Sequence, residues 1–123
     1  MKGQSLFEVT IQGTVSTNSN KEIICKWREN IERSLASLPF SQIDRRKVSV
    51  RIEFWISSDR LQTRRNDLDN LVKPVLDGMI RMGIIEDDAD IFHLEATKFP
   101  TSGEEEVHIS VKEWNLCLIS LLV

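Results

Sequence analysis

Hydrophobic and polar residues alternate over Ser5–Gly13, with Phe7, Val9 and Ile11 on one side and Glu8, Thr10 and Gln12 on the other. A period of two puts successive side chains on opposite faces of a pleated chain, so this stretch predicts a half-buried strand. The period then changes. Ile23, Ile24, Trp27, Ile31, Leu35 and Leu38 recur at spacings of three and four, the stripe of an amphipathic helix. Ser19-Asn20-Lys21-Glu22 fits a capping box at its start, and Pro39 predicts its end. Alternation returns over Lys47–Ile56, where Val48, Val50, Ile52, Phe54 and Ile56 share a face in the strongest strand pattern of the chain.

Ser57–Asn66 is polar and arginine-rich and predicts a loop. From Asp67 to about Met82 the helical period resumes through Leu68, Leu71, Val72, Val75, Met79 and Ile80, with Gly83 as its stop. Pro74 breaks the pattern, because it cannot donate to the carbonyl four residues earlier. Either the regular helix begins near Leu71, or one backbone bond is lost and the helix bends. Ile84–Asp90 is a short acidic connection. Ile91–Phe99 and Glu106–Val111 alternate again, and Pro100-Thr101-Ser102-Gly103 suggests a hairpin turn between them, with Glu104-Glu105-Glu106 at a solvated tip. The order β-α-β-α-β-β predicts an α+β domain, a small sheet with helices packed on one face. The domain is expected over residues 1–115. Residues 116–123 form an apolar tail for which core packing, a dimer contact and a loose end all fit.

A chain of 123 residues suits one domain, and its 41% hydrophobic and 28% charged residues are ordinary for a globular protein. Met1-Lys2-Gly3 leads straight into the first alternating segment, and no apolar run approaches the ~18–20 residues of a membrane span. A cytoplasmic protein without a membrane partner is expected. Cys25 and Cys117 form no CxxC pair, which excludes the usual zinc spacing. The net charge of -3 argues against a polyanionic partner, but its distribution argues otherwise. Arg45, Arg46, Lys47, Arg51, Arg60, Arg64 and Arg65 form a basic block directly before a strongly acidic remainder. Cations that hold phosphates beside carboxylates that hold metal are what a metal-dependent nuclease requires. Two ordinary solvated faces fit the same charges.

The chemistry concentrates in Asn66-Asp67-Leu68-Asp69-Asn70-Leu71-Val72-Lys73-Pro74-Val75-Leu76-Asp77, followed by Gly83-Ile84-Ile85-Glu86-Asp87-Asp88. Asp67 and Asp69 flank one apolar residue at the mouth of a helix, where carboxylates meet free amides and the positive dipole end. If that segment is extended, residues two apart point the same way and converge on one cation. Hard oxygen ligands select Mg²⁺ or Mn²⁺. Lys73, four after Asp69, shares its helical face and can hold a phosphate. An N-capped helix with a salt-bridging lysine and an exposed acidic turn fits the same residues.

Asp-Leu-Asp-Asn-Leu-x-Lys-Pro-Val-Leu-Asp, then Gly-Ile-Ile-x-Asp-Asp about a helix later, resembles the signature of the RusA family of Holliday-junction resolvases, over about residues 64–95. The resemblance implies a homodimeric, Mg²⁺-dependent endodeoxyribonuclease that binds four-way DNA junctions and nicks them symmetrically in recombination and repair. It places three essential aspartates at Asp67, Asp69 and Asp88 and the motif lysine at Lys73. It makes Asp87 a further candidate ligand, and Asn70 and Asp77 structural or supporting residues. Arg60, Arg64, Arg65, Arg45, Arg46 and Lys47 are the expected contacts to DNA backbone. Asp90 stands where the family usually has a glutamine, and the basic residue that the family tends to carry close ahead of the motif is here separated from it by Asn66, with Arg64 and Arg65 just before. Other branched DNA as substrate, a non-catalytic branched-DNA binder and a dimeric interaction module are the competing readings. One constraint is geometric. Asp88 begins at the far end of a helix ~20 Å long, at ~1.5 Å per residue. The aspartates meet within one subunit only if residues 83–88 fold back along that helix; otherwise Asp88 comes from the second subunit.

Overall fold

The alternating segments form strands and the segments of period three to four form helices. The computed structural model describes residues 5–38, 47–62 and 66–114. In chain order these are β1 (Ser5–Gln12), α1 (Lys21–Ala36), β2 (Val48–Ser57), a short α2 (Ser58–Leu61) and α3 (Leu68–Arg81). A 3₁₀ turn (Asp88–Asp90), β3 (Ile91–Thr101) and β4 (Glu106–Glu113) follow. The α+β class holds, with α2 added inside the stretch expected as loop. Residues 39–46, 63–65 and 115–123, which include Pro39, Arg45, Arg46, Arg64, Arg65 and the apolar tail, lie outside the described residues.

The four strands are ordered β1-β4-β2-β3. β4 runs antiparallel to both β1 and β2, and β3 runs parallel to β2. The expected β3–β4 hairpin is therefore wrong: the two strands flank β2 on opposite sides. Alternation specifies which face of a strand is buried, not which strand lies beside it. A helix precedes β3, so β2, α3 and β3 close as a parallel crossover unit, and β4 returns through the gap beside β2. The 102–105 connection consequently crosses the end of β2, and Glu105 is not a solvated tip. Its carboxylate accepts the Ser57 N–H at 2.8 Å and the Thr14 hydroxyl at 3.1 Å, and it pairs with Arg60. Its carbonyl accepts the Gly13 N–H at 2.7 Å.

One face of the sheet carries the core. Val48, Val50, Ile52, Phe54 and Ile56 of β2 are buried together with Val107, Ile109 and Val111 of β4, under Trp27, Ile31 and Leu35 of α1 and Leu71, Val75 and Met79 of α3. Each such side chain contributes about 1.5–3 kcal/mol when fully buried, so the register is strongly specified. The opposite face is polar. There Arg51 bridges Glu53 at 3.1 Å and Glu95 at 3.0 Å, and Trp55 stacks on Phe99 with ring centroids 4.6 Å apart.

α1 starts one residue later than a Ser19 cap requires. Asn20 is the cap, and its side chain accepts the Ile23 N–H at 2.9 Å. Asparagine caps as well as serine does. α1 and α3 meet at Gly78, where an added Cβ would lie 2.6 Å from Cγ2 of Ile31. A glycine in a helix interior costs about 1 kcal/mol relative to alanine, and here it permits the close approach of the two helices.

Candidate active site

α3 starts at Leu68, with Asp67 as its N-cap. The helix runs unbroken through Pro74 to Arg81, which removes the expectation of a late start at Leu71. The carbonyl that Pro74 leaves unpaired belongs to Asn70, and the backbone N–H of Thr17 donates to it at 3.1 Å. The lost bond is thus replaced from the β1–α1 loop.

Asp69, Lys73 and Asp77 follow one another at intervals of four, which aligns them along one face of the helix. They line a groove of about 440 Å³ between α3 and β3, with Leu68, Val72, Leu76 and Ile80 from the helix and Leu94 and Ala96 from the strand. Asp88 lines the same groove. The connection after α3 does fold back. Gly83 takes a φ of 74° and directs the chain around, after which Ile84 donates to the Met79 carbonyl at 2.9 Å. Ile84 and Ile85 are buried in the core. The Asp87 side chain accepts the Ala89 N–H at 3.0 Å and its carbonyl accepts the Asp90 N–H at 3.0 Å, closing the 3₁₀ turn that presents Asp88.

The structure thus brings Asp69, Lys73 and Asp88 to one groove within one subunit. Asp77, expected to be structural or supporting, joins them. Its spacing from Lys73 was the available signal. Asp67 is not among the lining residues. It is exposed, its side chain makes no capping hydrogen bond, and its carbonyl accepts the Leu71 N–H at 3.1 Å. Its carboxylate is therefore not consumed in holding the helix end.

Asp88 is held above the ordinary carboxylate value of 3.8 by a hydrogen bond with the Asp87 carboxyl and by the Asp87 charge, with a smaller contribution from the Asp77 charge. Gathered like charges of this kind favour a bound cation. The donor set is all carboxylate, which fits a hard cation such as Mg²⁺ or Mn²⁺. Among the described residues no three acidic, histidine or cysteine side chains form a ready cage. The fit is to a cation that retains waters and takes one or two protein carboxylates, as Mg²⁺ does.

The basic candidates separate. Lys73 is exposed on the groove. Arg60 is turned elsewhere: its guanidinium pairs with Glu105, donates to the Thr14 carbonyl and hydroxyl at 3.3 Å each, and reaches Oδ1 of Asn66 at 3.4 Å. Those contacts make it an anchor of the segment leading into α3. Asn66 is its counterpart. It is 6% exposed, donates to the Arg60 carbonyl at 3.0 Å, and accepts from Lys98 at 3.0 Å through its own carbonyl. Sequence reasoning passed over Asn66 and Lys98 in this role, since neither has a local pattern. Lys47 sits just before β2 with its ammonium 5.0 Å above the Phe92 ring.

This two-layer α+β fold has, between one helix and an edge strand, a mainly apolar groove into which three aspartates and one lysine are gathered. The family described as Endodeoxyribonuclease RusA matches residues 5–112. The chain belongs to the RusA endodeoxyribonuclease family. No curated protein matches it. Among solved structures, the periplasmic domain of Helicobacter pylori MotB (residues 90–256) is similar with a TM-score of 0.44 and 11% identity, over 99% of this chain and 82% of that one. A second structure of that domain (residues 97–256) gives a TM-score of 0.43 and 12% identity, over 99% and 93%. No helix among the described residues is long and apolar enough to cross a membrane.

Proposed function

We propose that this protein is a Mg²⁺-dependent endonuclease that binds four-way DNA junctions as a homodimer and nicks them symmetrically. The observation that carries this reading is the meeting of Asp69, Lys73, Asp77 and Asp88 in one groove, in a chain whose family is that of the RusA endodeoxyribonucleases.

Asp67, Asp69 and Asp88 would hold the cation, with Asp87 as a further candidate ligand and Asp77 lining the same groove. When bound, Mg²⁺ or Mn²⁺ supplies charge neutralisation at the scissile phosphate and activates the attacking water. Lys73 places an ammonium on the same helical face and holds a phosphate oxygen while negative charge builds there. The Asp69 carboxylate lies in the first turn of α3, where the helix dipole favours negative charge. Arg45, Arg46, Lys47, Arg64 and Arg65 hold flanking backbone electrostatically. Arg60 serves by fixing the segment before Asp67. Two such sites related by a dimer axis match the two-fold symmetry of a junction, so recognition rests on shape more than on base sequence.

The test is cleavage of a mobile four-way junction, with and without Mg²⁺, by the wild type and by Asp69→Asn. Paired nicks that require the metal and disappear in the variant support the reading. Tight binding without cleavage makes the protein a non-catalytic junction binder, a preference for flaps or forks moves the substrate, and the absence of both binding and cutting overturns the nuclease reading.

A further inference from the structure

The helix that carries the acidic face is gripped along the adjoining stripe, at Asn70, by the loop between β1 and α1. Pro74 has no N–H to offer the Asn70 carbonyl, and Thr17 makes good the loss and adds a second bond to the Asn70 side chain. Its backbone N–H donates to the Asn70 carbonyl at 3.1 Å, and its hydroxyl donates to Oδ1 of Asn70 at 2.8 Å. The loop that presents Thr17 is itself built in. Ser16 is 3% exposed, its hydroxyl accepts the Asn18 N–H at 3.1 Å, and its carbonyl accepts the Ser19 N–H at 3.0 Å. Thr14 is 4% exposed and joined to Glu105 and Arg60. Asn70 directly follows Asp69, so the backbone that Thr17 pins is the backbone that aims the Asp69 carboxylate.

We propose that Thr17 is a positioning residue for the cation site. It fixes the first turn of α3, and through it Asp69, and so sets how readily a divalent cation is held rather than how fast the loaded site cuts. This inference rests on the nuclease reading above. Residues that orient metal-binding side chains at one remove change metal affinity by about 10–100-fold when lost. The Thr17 hydroxyl acts through an intervening residue, which places it at the low end. Valine keeps the shape and the backbone bond but removes the hydroxyl; serine keeps both bonds.

Two readouts separate positioning from plain structure. The first is Mn²⁺ binding to the protein without DNA, followed by water-proton relaxation. The second is the Mg²⁺ concentration giving half-maximal junction cleavage, read apart from the maximal rate. Thr17→Val is expected to raise both half-saturation concentrations about tenfold, with the maximal rate within about twofold of wild type. Thr17→Ser is expected to restore wild-type behaviour. Asn70→Ala removes the same bond from the helix side and serves if the valine variant folds poorly. It is expected to give the same shift, with no further shift in the double variant. A lower melting temperature with unchanged half-saturation makes Thr17 purely structural and overturns the proposal. If wild-type protein neither binds Mn²⁺ nor cuts, the nuclease reading falls and the assignment of Thr17 falls with it. If wild type does both and the valine and alanine variants match it, only the inference about Thr17 fails.

Discussion

Replacing Gly78 by alanine tests the packing that points the acidic face of α3 outward. Two effects oppose each other. Alanine is favoured over glycine in a helix interior by about 1 kcal/mol. Against this, the new methyl would lie 2.6 Å from Cγ2 of Ile31 and 3.9 Å from Cδ1 of Leu35. Ile31 is fully buried and β-branched, and in a helix such a side chain strongly prefers a single χ1 rotamer, so turning it aside is costly. The relief must come from moving α1 against α3. Overpacking of this kind costs about 1–3 kcal/mol, toward the upper end where the neighbour is rigid. The steric cost therefore wins, and Gly78→Ala is expected to destabilise the protein by about 1–2 kcal/mol. For a domain of this size that lowers the melting temperature by about 3–8 °C.

The decisive assay is a double-mutant cycle followed by urea unfolding. Ile31→Ala alone removes the obstructing methyl and costs about 2–5 kcal/mol as a cavity. In that background Gly78→Ala has room, and only its helix preference remains, so it is expected to stabilise by up to about 1 kcal/mol. The sign of the same substitution reverses between the two backgrounds. If Gly78→Ala stabilises the protein with Ile31 intact, the helices stand further apart than the structure places them, and the steric reasoning is refuted.

Two further outcomes follow from the site. Asp88 is raised because the Asp87 carboxyl shares a hydrogen bond and repels its charge. A raised carboxyl keeps its proton to higher pH, so cation affinity falls as pH drops toward that raised value; Asp87→Asn is expected to move this fall to lower pH, which Mn²⁺ binding measured against pH would show. Glu105→Ala removes the acceptor of Ser57 N–H, of the Thr14 hydroxyl and of Arg60 together; loss of about 1–3 kcal/mol is expected in denaturant unfolding, and a change below ~0.5 kcal/mol would mean the crossing is held by backbone alone.

The elements were legible because burial imposes a period, and β2 shows it without a break from Val48 to Ile56. Strand neighbours were not, because nothing in the alternation of β3 and β4 records that β2 lies between them. The same gap misplaced Glu105, whose partners on β2, α2 and the β1–α1 loop are all distant in sequence. The acidic motif was legible as a spacing. The fold-back that brings Asp88 to α3 was open, since it depends on Gly83 and on Ile84 and Ile85 finding room in the core. Arg60 read as a phosphate contact because its charge is visible in the sequence and its partners are not.

The motif is better understood as two stripes on one helix than as a list of acids. Asp69, Lys73 and Asp77 face the groove. Asn70, Pro74 and Gly78 each stand one residue later, which turns them by about 100° around the axis. Asn70 is bound by Thr17, Pro74 is buried, and Gly78 admits Ile31. A helix that is rigid has one rotation, so whatever fixes the second stripe aims the first. Pro74 then has a reason to sit in a helix interior: by vacating the Asn70 carbonyl it gives the β1–α1 loop a place to bind. A substitution in the second stripe should consequently disturb cation binding without touching a carboxylate, and Gly78→Ala and Thr17→Val approach that consequence from opposite ends of α3.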